Sequence, residues 1–129
     1  MKCLIVDDEI ICRKNVITVL REVAHCVEAV DGSEAVLKFS QALGQNDPYD
    51  VVILDIIMPG IDGHQTAQAI REVESKSSSA GKVKIIMLTV LDSVNDAMTS
   101  FFCGQSVAYL VKPASEEKFL GTFKKLGLL

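Results

Sequence analysis

Apolar and polar positions along this chain follow two alternating rhythms. The runs Cys3-Leu4-Ile5-Val6, Val51-Val52-Ile53-Leu54, 83–88 and 107–111 are almost wholly apolar and end in polar or turn residues. Short continuous apolar runs of this kind predict strands buried on both faces, as in a parallel sheet. Cys12, Val16, Val19, Leu20 and Val23 instead recur every three or four positions, which predicts an amphipathic helix over about 11–23. The segment 25–30 is more polar and predicts a short strand at a sheet edge. Asp31-Gly32 is a turn, and Asp31 with Glu34 forms a capping-box pattern for a helix reaching about residue 43. Loop residues follow over 44–48. Further helices are predicted over about 63–73 and 93–102, the second stopped near Gly104. A last helix is capped by Ser115, with Glu116 and Glu117 in its first turn, where acids suit the macrodipole. The Ser-rich stretch 76–82 reads as a flexible surface connection.

The order is (βα)5. It predicts one α/β domain: a doubly wound, parallel five-stranded sheet covered on both faces, a three-layer sandwich. A chain of 129 residues with 49% apolar residues is long enough for one sizeable core. Net charge is −4 with no basic block, which argues against binding nucleic acid phosphates. No apolar run approaches membrane-spanning length, and the N-terminal run is too short for a signal peptide. A cytoplasmic protein with no membrane partner is expected. Cys3, Cys12, Cys26 and Cys103 show no C-x-x-C spacing and read as reduced small hydrophobes.

The chemistry gathers where the strands end. Asp7 and Asp8 follow the first run, Asp55 ends the third strand, Thr89 follows the run 83–88, and Lys112-Pro113 follows the last strand. Open α/β sheets place their sites outside the carboxyl ends of strands. Three carboxylates brought together repel one another, and a hard divalent cation with oxygen ligands resolves that conflict; Mg2+ fits. A carboxylate left partly free beside it is a nucleophile toward phosphorus. The ammonium of Lys112 and the hydroxyl of Thr89 suit the equatorial oxygens of a phosphoryl group. Each of these residues alone is an ordinary turn, cap or solvated surface residue; their joint placement at strand ends is what points to a site. His25 and His64 fall away from these ends and read as structural or exposed. Phe119, Phe123 and Leu126 have helical spacing and read as core.

The order Asp7-Asp8, Asp55, Thr89, Tyr109 and Lys112-Pro113, with Met58-Pro59-Gly60 and Asp62-Gly63, resembles the receiver domain of two-component response regulators, most closely the single-domain chemotaxis-regulator type. The resemblance covers essentially the whole chain, 1–129, as one receiver domain without an output domain. It implies a flavodoxin-like sheet of strand order 2-1-3-4-5. It implies that Asp55 accepts a phosphoryl group from a histidine kinase or histidine phosphotransfer protein, with Thr89 and Lys112 contacting that group. It implies a Mg2+ site in which Asp8, Asp55 and the Ile57 backbone carbonyl are direct ligands and Asp7 acts through water. Thr89 and Tyr109 are the implied switch pair, and a downstream target protein the implied reader. Beyond self-phosphorylation and self-dephosphorylation, no enzyme activity is implied.

Four features depart from the family pattern. Ile57 is apolar where many members carry a polar side chain, and Val90 stands where a small residue is usual. Leu91 is also apolar, and the turn 104–108 is one residue longer than the common form. The competing reading is a Mg2+-dependent phosphohydrolase of the haloacid-dehalogenase type. That class needs a second Asp two residues after the nucleophile, and this chain has Ile57 there.

Overall fold

A computed structural model describes residues 1–77, 82–90 and 108–129. Five strands, β1 (Lys2–Val6), β2 (His25–Ala29), β3 (Val51–Asp55), β4 (Lys84–Thr89) and β5 (Ala108–Val111), form one parallel sheet in the order β2-β1-β3-β4-β5. The described helices are α1 (Ile10–Leu20), α2 (Gly32–Gly44), α3 (Gly63–Ser75) and α4 (Glu116–Lys125). The helix expected over 93–102, the turn 104–108 before Tyr109 and Cys103 lie wholly or largely outside the described residues.

Successive side chains of a strand point to opposite faces, so a continuous apolar run feeds two cores at once. Cys3, Ile5, Val51, Ile53, Ile86, Leu88 and Leu110 pack with Val16 and Leu20 of α1 and Phe119 and Phe123 of α4. Leu4, Val6, Val52, Leu54, Ile85 and Met87 pack on the opposite face with Ala35 and Phe39 of α2 and Ala67 and Ile70 of α3. This is the three-layer arrangement that the runs predict, and Phe119 and Phe123 are core residues as expected. β2 is one of the two edge strands among the described residues. Its partial burial matches its more polar sequence.

Local differences from the sequence expectation have local causes. α1 ends at Leu20 rather than 23, because the Leu20 carbonyl accepts from both Val23 and Ala24 N–H and tightens the chain into β2. Asp31 caps α2 by accepting from Glu34 N–H at 2.8 Å, but the Glu34 carboxylate accepts from Val30 N–H instead of closing the box. The complete capping box is at α3. There the Asp62 carboxylate accepts from Gln65 N–H and the Gln65 side chain accepts from Asp62 N–H, each at 2.9 Å.

Candidate functional site

Period-two alternation decides which strand-end residues meet. Cys3, Ile5, Val51, Ile53 and Leu110 face α1 and α4, so Asp7, Asp55 and Lys112, one or two steps further on in the same phase, leave the sheet on that side. They converge. Lys112 Nζ lies 3.0 Å from Asp7 Oδ2 and 3.1 Å from Asp55 Oδ1. Asp7, Asp8 and Asp55 each offer a carboxylate oxygen within 4.8 Å of the others. Asp7 is 3% exposed and Asp55 8%, while Asp8 opens to solvent.

Each member is held by its own local structure. The second oxygen of Asp7 accepts from Glu9 N–H at 2.9 Å, which fixes the turn into α1. The Asp7 carbonyl accepts from Arg13 Nη1 at 2.8 Å, and Arg13 Nε donates to Glu28 on β2 at 3.0 Å. Arg13 is thus a buried guanidinium clamping α1, β2 and the end of β1 together. Lys14 adds a second cation on Glu28, and these two partners, Lys14 foremost, hold the Glu28 carboxyl below its usual range. Lys112 is presented by the β5 end, where its N–H donates to the Thr89 carbonyl at 2.7 Å ahead of a cis Lys112–Pro113 bond.

Asp55 owes its position to a close backbone approach. Gly63 N–H donates to the Ile56 carbonyl at 2.8 Å. A Cβ on Gly63 would fall 2.6 Å from the Asp55 carbonyl oxygen and 2.7 Å from Ile56 Cα. Both obstacles are backbone, so the strand end itself would have to move. Gly63→Ala is therefore expected to destabilise the protein by about 3 kcal/mol, at the upper end of overpacking costs. A chemical denaturation midpoint equal to the parent's would contradict this. Between Asp55 and Gly63 the loop is anchored by buried Met58 and turned at Gly60, whose φ of +78° suits glycine.

The electrostatics are those of an acid cluster short of positive charge. Burial lifts the Asp55 carboxyl above its ordinary value; Lys112 opposes the shift and Asp7 adds to it. Burial pulls Lys112 down, but Asp7 and Asp55 together outweigh it and hold the ammonium above its usual range. Both partners of this ion pair are shifted upward. The pair is unequal because one ammonium is shared between two buried carboxylates. Hard oxygen donors, close spacing and a solvent-facing side at Asp8 fit Mg2+, which keeps several waters and takes few carboxylates.

The remaining expected residues stand nearby with different partners. Thr89 is buried at the β4 end, in phase with Ile85 and Met87 and so toward the α2–α3 side, and its hydroxyl donates to the Val90 carbonyl at 3.1 Å. Tyr109 is the register partner of Met87 and is partly buried against that same core. Thr89 and Tyr109 therefore share a face as diagonal neighbours. Ile57 is 64% exposed and Val90 40% exposed. His25 is exposed at the far end of β2, and His64 lies in the first turn of α3; neither belongs to the cluster. Neither ring nitrogen of His64 meets a hydrogen-bond partner among the described residues. The Arg13–Glu28 clamp is not apparent from the sequence. Arg13 falls beside Cys12 on a helix whose apolar spacing gives no sign of a buried cation.

The profile of the response regulator receiver domain matches residues 3–124. The chain belongs to the response regulator receiver family. Its relatives include PilG of Pseudomonas aeruginosa, 33% identical over 126 residues that span 96% of this chain and 85% of PilG. A probable transcriptional regulator ycf27 of Guillardia theta is 43% identical over 118 residues, 91% of this chain but 41% of that protein. The chain thus spans less than half of that longer relative. Among solved structures, chemotaxis protein CheY4 of Vibrio cholerae superposes with a TM-score of 0.78 at 30% identity, covering 96% of both chains. A CheX–CheY–BeF3–Mg2+ complex from Borrelia burgdorferi matches with a TM-score of 0.81 at 25% identity, covering all of this chain and 90% of that one. This receiver is a phosphorylation-activated signalling switch of two-component systems. Receiver domains bind Mg2+ at an acidic pocket, and this one carries the Asp7–Asp8–Asp55 cluster. They work with histidine kinases or phosphotransfer proteins and with downstream targets.

Proposed function

We propose that Asp55 is the phosphoacceptor of this receiver, with residues 1–129 acting as one receiver unit. The observation that carries this reading is the Lys112 ammonium bridging Asp7 and Asp55 within an acid cluster at the strand ends. A histidine kinase or a histidine phosphotransfer protein is the donor. An Asp55 oxygen attacks phosphorus, the new O–P bond forms as the P–N bond of phosphohistidine breaks, and the electron pair returns to the imidazole. Lys112 moves from balancing two carboxylates to balancing the phosphoryl oxygens, and its charge-assisted contact holds the product. The Thr89 hydroxyl, now on the Val90 carbonyl, turns to another phosphoryl oxygen. Tyr109, diagonal to it on the same face, follows the space Thr89 vacates. A downstream protein reads that shift.

Asp8, Asp55 and the Ile57 carbonyl would hold Mg2+ directly, and Asp7, already engaged by Glu9 N–H and Lys112, through water. When bound, Mg2+ supplies positive charge to the transferring group. The same site accepts phosphate from small acyl phosphates and slowly loses it to water. Net charge of −4 favours protein partners over nucleic acid. Among the described residues no helix is long and apolar enough to cross a membrane, and the cytoplasm is the proposed location.

Incubation with an acyl phosphate and Mg2+ tests the assignment by intact mass. The parent should gain one phosphoryl group and Asp55→Asn none; equal labelling of the variant would exclude Asp55. Asp8→Ala should lose the Mg2+ dependence of labelling and nearly all of its rate. Labelling at the parental rate would remove Asp8 from the metal site.

A further inference from the structure

Cys3 and Cys26 face each other across two strands, and nothing in the phosphorylation chemistry uses them. They are register partners in the parallel β1–β2 pair, and both side chains belong to the core on the α1–α4 face. Cys3 is completely buried, whereas Cys26 is partly exposed on the edge strand. Both are free thiols.

We infer that Cys3 and Cys26 are a peroxide-oxidised dithiol that forms a reversible disulfide between β1 and β2. Neighbouring strands lie about 4.8 Å apart, within the roughly 4.4–6.8 Å of Cα separation that a disulfide spans. Parallel partners keep their Cβ atoms near the strand spacing, while a relaxed disulfide brings them to about 3.8 Å. The bond therefore pinches the strands together. β2 has a neighbour on one side only, which leaves it free to make that movement. A disulfide closed under such strain is readily reduced, a property of regulatory rather than structural bridges.

The two thiols are unequal, and the inequality assigns their roles. The Cys26 thiol, partly exposed on the edge strand, donates weakly to the Ala24 carbonyl at 3.9 Å. Cys3 has no exposed surface, and burial disfavours its thiolate. Cys26 is thus the sulfur that peroxide can reach from solvent, and Cys3 the adjacent resolving thiol. The Cys26 thiolate attacks a peroxide oxygen, the O–O bond breaks, and Cys26 becomes a sulfenic acid with loss of one water. Cys3 sulfur then attacks Cys26 sulfur; the S–S bond forms, the S–O bond breaks, and hydroxide leaves as water with the Cys3 proton. Two thiols and one hydrogen peroxide give one disulfide and two waters.

The test uses the full chain carrying Cys12→Ser and Cys103→Ser, so that only this pair remains. Excess hydrogen peroxide, followed by alkylation and peptide mapping, should give a monomer that has lost both alkylatable thiols, with the Cys3 and Cys26 peptides cross-linked. A dithiol reductant should restore both. In a further variant, Cys26→Ser, Cys3 should stay alkylatable after the same treatment. Two free thiols after peroxide, Cys26 driven to sulfinic acid beside a free Cys3, or a dimer linked through Cys26 would each overturn the inference. So would oxidation of Cys3 in Cys26→Ser at the rate seen with both present.

Discussion

Lys112→Ala is expected to destabilise the metal-free protein by about 2–3 kcal/mol at neutral pH, and saturating Mg2+ should recover most of the loss. Its ammonium bridges two buried acids, at 3.0 and 3.1 Å. Removing one partner from a buried pair leaves charge uncompensated, at about 3–5 kcal/mol. The smaller figure reflects the partial exposure of Lys112 and the freedom of Asp55, whose carboxyl burial already lifts, to take up a proton. The pH dependence follows from the direction of the Asp55 shift. Its folded carboxyl is already raised by burial, and loss of Lys112 raises it further. An acid raised on folding favours the fold while protonated and loses that contribution as pH climbs from its unfolded to its folded value. The deficit of the variant should therefore grow across that window and shrink on acidification. Urea denaturation at several pH values, with and without Mg2+, reads this out. A deficit independent of both would mean that Lys112 balances no charge here. The same variant should bind a downstream partner almost equally with and without phosphate, since the contact that ties Lys112 to the phosphoryl group is gone.

The phosphorylated protein is expected to be long-lived. Hydrolysis needs a water in line with the O–P bond, and a polar side chain can orient it. Two residues past Asp55 this chain presents Ile57, exposed and unable to hydrogen-bond through its side chain, and beyond Thr89 it presents Val90 at the surface, followed by Leu91. Ile57→Asn combined with Leu91→Glu should shorten the phosphoryl lifetime by roughly tenfold or more, the scale of a positioning effect. The measurement is decay of the phosphorylated species by intact mass after removal of the acyl phosphate. A parent that already decays as fast as the double variant would show that water alignment does not depend on these positions.

Such a lifetime suits a signal that is slow or is reset by a separate phosphatase. The Mg2+ dependence of Lys112→Ala and the lifetime concern different steps. The first reads charge balance before transfer, and the second reads access of water after it. A result against one leaves the other standing.

The strand runs, the helix spacing and the strand-end placement of Asp7, Asp8, Asp55, Thr89 and Lys112 were legible in the sequence because each is a local property. Apolar continuity over four to six residues reports burial on both faces whatever the neighbours. Which of these residues share a face was not legible, because a run that is apolar at every position does not show which core each side chain enters; the packing against α1 and α4 put Asp7, Asp55 and Lys112 on one side. What the chain order could not supply was partnership. That Lys112 is shared by Asp7 and Asp55 depends on β1 and β3 being adjacent while β5 lies two strands away from β3, so a long flexible ammonium must reach across. Arg13 falls outside the apolar spacing of α1. It is buried because Glu28 on β2 and the Asp7 carbonyl meet it from two other elements. Asp31 and Glu34 have capping-box spacing, and only the path of the backbone into α2 brings Val30 N–H within reach of the Glu34 carboxylate. Cys3 and Cys26, distant in sequence and without a spacing motif, became a pair through the β1–β2 register alone. Tertiary structure decided these cases because hydrogen bonds and ion pairs depend on distances of a few ångströms between segments, which local periodicity does not encode.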